Sequence, residues 1–291
     1  MPLTIDEVCS LNNKLGEGPL WDEALQQLFW VDSLKGQIFR LDYQSQQVSN
    51  WETGEMTGCL ALVSDQQAIV ALQSGLHWFN FTDGALTPVP HTSVTDARTR
   101  FNDGKTDRAG NFLTGTMGIT IREPALGALY RLNKDLSLEC LLTDVAVSNG
   151  PCFSPDGSLF YFTDGKRRIF AFDYDPHGPL RGQRVLIDTG ALGFASDGAT
   201  IDSEGNLWTA LIQPGEIGCF SPQGKLLTRF SIPARLPSSV MFGGPALDEL
   251  YITSISESGN RTSPEPEAGR LFVVRGTGVR GIAEPRFQPH R

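Results

Sequence analysis

Apolar residues in this chain gather in short runs rather than in long helical stripes. Six strand-like runs recur, at Leu28–Asp32, Ala68–Leu72, Phe112–Thr116, Leu159–Thr163, Leu207–Leu211 and Leu250–Ser254. Each is rich in β-branched and aromatic side chains, which suit a pleated, buried surface. Their starts lie 40, 44, 47, 48 and 43 residues apart. Most are followed by a second such run, as at Gln37–Leu41, Gly127–Arg131, Arg168–Phe172 and Gly269–Val273. Several are preceded by a turn with Asp or Ser first and Gly fourth, at Asp107–Gly110, Ser154–Gly157 and Asp202–Gly205. That is type I turn chemistry.

A repeat of several strands at this spacing predicts propeller blades. Six periods cover the chain almost entirely, whereas a β-sandwich predicts no such regular period. The reading is therefore all-β: a single six-bladed β-propeller over residues 1–291. The first strand, Thr4–Ser10, is expected to join the last blade and close the ring, leaving no long exposed edge.

Aligning the blades on their turns exposes a polar position. Five residues before Asp22, Asp107, Ser154 and Asp202 stand Glu17, Asn102, Asn149 and Asp197. Glu17, Asn149 and Asp197 are each followed by glycine, and Asn102 by Asp103 and Gly104. Around Cys59 and Ser239, the nearest equivalents in the other two blades, the residues are small and uncharged. Taken singly, Asn-Gly and Asp-Gly read as turn dipeptides. A turn-former has no need to keep one offset in four blades, and glutamate is a poor turn-former. Equivalent places in a propeller lie at one height around one axis, so these side chains should converge. Two converging carboxylates need a cation, or one takes up a proton. Oxygen donors suit a hard ion such as Ca²⁺, Mg²⁺ or Mn²⁺. Glu17 and Asp197 would balance its charge and Asn149 would add a neutral oxygen, with positions left open for water and substrate.

Composition narrows the partners. The chain is 40% hydrophobic, enough to bury a core, and its net charge of −9 argues against nucleic acid and anionic membrane surfaces. No run approaches a membrane-spanning length. The start, residues 1–14, lacks the features of a signal peptide, so a cytoplasmic protein is expected. The five cysteines are widely spaced with no C-x-x-C, which predicts neither a disulfide framework nor a zinc cluster; Cys59 and Cys152 read as core thiols. His77, His91, His177 and His290 lie outside the repeated position and read as surface or loop residues. A nucleophile elbow, a dinucleotide fingerprint and a P-loop are all absent.

Longer landmarks are more specific. They are Leu15–Trp21 (LGEGPLW), Arg100–Lys105 (RFNDGK), Gly115–Met117 (GTM), Gly127–Tyr130 (GALY), Ser148–Gly150 (SNG), Ser196–Gly198 (SDG) and Phe242–Gly244 (FGG). In this order and spacing the chain resembles the SMP-30/gluconolactonase family, which includes regucalcin and bacterial sugar lactonases, along essentially its whole length. The resemblance implies a six-bladed propeller that uses one divalent ion (Ca, Zn, Mn, Mg or Fe(II)) to hydrolyse a sugar lactone to the aldonic acid. It implies Glu17, Asn149 and Asp197 as metal ligands, with Asp197 also the general acid/base. Arg100 and Asn102 would contact sugar hydroxyls, as would Glu123 through a loop that departs from the family pattern. Asp103 would sit near the metal. Many members have Pro-Asp-Gly where Ser196–Gly198 stands here, which leaves the aspartate in place. Segment 255–264 is polar and reads as a loop, either a plain surface hairpin or a cover over the channel mouth. The expected partner is a small-molecule sugar lactone, with the chain a monomer or homodimer. The other functions open to such a chain are organophosphate or ester hydrolysis on the same propeller, and a non-enzymatic calcium-binding regulator.

Overall fold

The structure, a computed structural model, describes residues 2–94, 96–120, 125–165, 167–259 and 261–290. Six four-stranded antiparallel sheets form a ring, a six-bladed β-propeller, with no helix among the described residues. The inner strands are Gly16–Asp22, Thr57–Leu62, Thr99–Thr106, Asn149–Phe153, Ala195–Ile201 and Pro237–Gly243 in blades 1 to 6. They neighbour one another around the channel, blade 6 returning to blade 1. The recurrent apolar runs are the second strands, for example Leu159–Thr163 in blade 4 and Glu249–Ser254 in blade 6. The last run begins at Leu271 rather than Gly269, because Gly269 sits at φ +78°, outside the extended backbone of a strand.

The second strands read as unbroken apolar runs because both their faces are covered. The core is divided into six wedges, each between two adjacent blades. Between blades 1 and 2, for example, Phe29, Val31 and Ile38 meet Leu60, Val70 and Phe79. Between blades 3 and 4, Leu113 and Leu129 meet Phe153, Phe160 and Phe162. The outermost strands are mostly exposed, as Arg181–Asp188 is, so they carry little hydrophobic signal. Cys59 and Cys152 are buried in wedges, and all five cysteines are free thiols.

Thr4–Cys9 pairs antiparallel with Leu271–Arg275 as the outer strand of blade 6. The chain's last residues run across the channel end where the inner strands finish. There Phe287 is buried among Cys59, Phe101 and Phe112, and its amide donates to the Leu62 carbonyl. Glu284 pairs with Arg108 (3.0 Å) and Lys105 (3.8 Å). Arg286 binds Asp22 at 2.6 Å. This tail leaves a void of only about 10 Å³ below it, lined in part by Asp103, Lys105 and Glu284. The channel is accessible from the other end, where the inner strands begin.

Candidate functional site

Every inner strand breaks register with its neighbour near its start. The shifts fall between Glu17 and Leu20, Thr57 and Cys59, Phe101 and Gly104, Asn149 and Cys152, Ser196 and Ala199, and Pro237 and Ser239. A bulge of this kind bends the strand and re-aims a side chain. The Glu-Gly, Asn-Gly and Asp-Gly pairs are therefore bulges within strands, not hairpin turns. Gly18 and Gly150 have φ of +55° and +58°. Gly198 is required for a different reason: a Cβ there would lie 2.0 Å from the Ser239 hydroxyl.

The bulges bring Glu17, Asn102, Asn149 and Asp197 to one cavity of about 160 Å³, together with Arg100. Asn102 Nδ2 donates to Asn149 Oδ1 at 2.6 Å and to the Ser148 carbonyl at 2.8 Å. Arg100 Nη1 donates to Asn102 Oδ1 at 2.8 Å and to the Phe101 carbonyl at 2.9 Å. The chain Arg100–Asn102–Asn149 orients the amides, and Asn149 Oδ1 keeps a second lone pair for another partner. Below them, buried Asp103 accepts the amides of Gly104 and Gly150, both at 2.8 Å. It thereby ties blade 3 to the bulge that carries Asn149.

The two carboxylates of the cavity are poorly compensated. Asp197 is buried and accepts no hydrogen bond among the described residues. Glu17 accepts only the Gly18 amide, at 3.3 Å. Burial first, then the charges of Asp197 and Asp103, push the Glu17 carboxyl well above the usual range. Burial and Asp103 push Asp197 up to about 7, while Arg261 and Arg100 oppose the rise. Arg100 is pulled down to about 10, mainly by burial, and stays charged at neutral pH. A buried and a half-buried carboxylate, both short of donors, are the environment a cation stabilises. No three His, Cys, Asp or Glu side chains gather as metal donors among the described residues. The donor set here has two carboxylates and one amide oxygen, an all-oxygen set fit for a hard divalent ion.

Glu123 lies outside the described residues. None of the four histidines lines the cavity. Its walls add Leu15, Met117, Val147 and Ile212, which no repeat marked. Segment 255–264 contains a short hairpin, Glu257–Ser258 paired with Arg261–Thr262. It is more than a surface hairpin, because Ile255, Ser258 and Arg261 line the cavity. Only the arginine's polarity within that segment could have flagged it.

Fold and cavity together define a class: a six-bladed propeller with an oxygen-rich, carboxylate-bearing pocket at the open end of its channel. The family described as SMP-30/Gluconolactonase/LRE-like region matches residues 15–256, and the chain belongs to that family. It is similar to a 6-deoxy-6-sulfogluconolactonase of Pseudomonas putida, at 37% identity over 94% of each chain. It is also similar to an L-arabinolactonase of Azospirillum brasilense, at 34% identity over 94% of this chain and 92% of that one. A solved regucalcin of Agrobacterium tumefaciens, described as a calcium-binding protein, superposes with a TM-score of 0.89. It shares 28% identity over 97% of this chain and 96% of that one.

Proposed function

We propose that this protein hydrolyses a sugar lactone to its aldonic acid with the help of one divalent ion. The observation that carries the reading is the convergence of Glu17 and Asp197, both short of donors, with Asn149 and the Arg100–Asn102 pair in one small cavity. Similarity to proteins named as lactonases, over nearly the whole chain, supports the reaction class. The cavity is below roughly 300 Å³, where sites for drug-sized ligands begin, and so suits a single small sugar.

Glu17, Asn149 and Asp197 would hold the ion, which when bound would polarise the lactone carbonyl and keep both carboxylates ionised. Asp197 accepts a proton from the attacking water and returns it to the ring oxygen as the C–O bond breaks. It is suited to both transfers because no protein donor occupies its oxygens. Asn102 and Arg100 bind sugar hydroxyls and set the ring so that its carbonyl faces Asp197. Asp103 positions Asn149 through the Gly150 amide. Leu15, Met117, Val147 and Ile212 limit bulk water around the reacting bond.

The test is a pH-indicator assay across five- and six-membered sugar lactones with several divalent ions. At least one lactone should be opened, activity should vanish on chelation, and an added ion should restore it. Ion binding with no lactone turned over would favour a regulator that binds metal without catalysis.

A further inference from the structure

The hairpin over the cavity is anchored at its base. Ile255 bridges to Leu15 and packs with Ile212 and Leu236. The amides of Ser256 and Glu257 both donate to the Lys14 carbonyl at 3.0 Å. Arg261 is thus carried on a fixed support, half-buried, into the wall of the cavity. Arg100 Nη1 is engaged by Asn102 and Phe101, whereas the Arg261 guanidinium makes no hydrogen bond or ion pair among the described residues. Its charge nevertheless acts on Asp197.

The charged lining of the cavity is two acids, Glu17 and Asp197, and two arginines, Arg100 and Arg261. With Asp103 just below counted as well, three carboxylates face two arginines, so a bound divalent ion would leave an excess of one positive charge. Sugar hydroxyls cannot take up such an excess. An anionic group on the substrate can, and a guanidinium fork matches the paired oxygens of a carboxylate, sulfonate or phosphate.

We infer that Arg261 binds an anionic group at the exocyclic end of the sugar lactone and makes the enzyme selective for acidic lactones. The inference rests on the lactonase reading of the same cavity. Ring and carbonyl face Glu17, Asn149 and Asp197, and the charged end points to the hairpin.

The experiment compares neutral D-glucono-1,5-lactone with its sulfonated, phosphorylated and carboxylated counterparts, using the full chain and a divalent ion. At least one acidic lactone should have the higher kcat/KM. Arg261→Met keeps an apolar stem and removes the charge. It should lower the acidic-to-neutral ratio of kcat/KM by on the order of 100-fold, mainly through KM. Arg261→Lys should restore part of the ratio. Calorimetry with the ring-opened acids should show the same loss in binding. The three acidic arms identify which anion the fork takes. An unchanged ratio in Arg261→Met, or a wild type that prefers the neutral lactone, overturns the inference while leaving lactone hydrolysis intact. A wild type that opens no lactone defeats both.

Discussion

Asp197 and Glu17 are the residues on which the site's chemistry turns. Each is a carboxylate held in a cavity with almost no donor from the protein. Asp197→Asn keeps the shape and removes both a charge and a proton acceptor. Turnover should fall by about three orders of magnitude or more while the circular-dichroism spectrum stays that of the folded chain. Full activity in that variant would falsify the acid/base role. The raised pKa values also predict how the chelated protein responds to pH. Unfolded, Asp197 ionises near its ordinary value, but folded it holds its proton up to about 7. Between those values the unfolded state binds fewer protons, so stability falls as pH rises. The chelated protein should melt several degrees lower at about pH 8 than at about pH 5, and an added divalent ion should reverse most of the loss at the higher pH. Thermal scans with and without chelator at both pH values measure it.

At the scale of the element, the bulge is the device that makes a propeller strand into a ligand arm. A regular strand alternates its side chains between the two faces of its blade, and both faces are buried against neighbours. The extra residue in each inner strand turns one side chain into the channel instead. Gly150 carries two requirements of that geometry: a φ of +58°, and a Cβ position 2.9 Å from the Asp197 carbonyl oxygen. Gly150→Ala should cost about 2 kcal/mol in folding stability. It should weaken divalent-ion binding more than Gly193→Ala, whose added Cβ would meet nothing within 4 Å. Titration of the ion by calorimetry in the two variants separates a local effect on the site from a general loss of stability.

For the whole molecule, closure is the dominant problem, because a ring of blades is only as stable as its seam. The pairing of Thr4–Cys9 with Leu271–Arg275 joins the two ends of the chain within one blade. Removing residues 1–10 should lower the melting temperature markedly and expose an edge that promotes aggregation. The tail closes the far end of the channel in the same spirit. Glu284 is buried against Lys105 and Arg108. Glu284→Gln leaves two cations short of a partner and should cost roughly 3 kcal/mol in denaturant unfolding.

The blades and the ring of polar positions are legible in the order of residues alone. Strand signals are local, and the second strands, covered on both faces, record their burial as apolar runs such as Leu159–Thr163. The constant offset of Glu17, Asn102, Asn149 and Asp197 from their turns was visible for the same reason, since one repeated unit keeps one internal spacing. The outer strands escaped notice because half-exposed residues carry no such run. That the glycine pairs are bulges, and that Asp103 holds the neighbouring blade through the Gly150 amide, emerges first in the folded structure. It alone decided that residues 280–290 plug the channel and that Arg261 turns inward to the cavity. Each of these depends on contacts between segments far apart in the chain, which leave no periodic trace in the order of its residues.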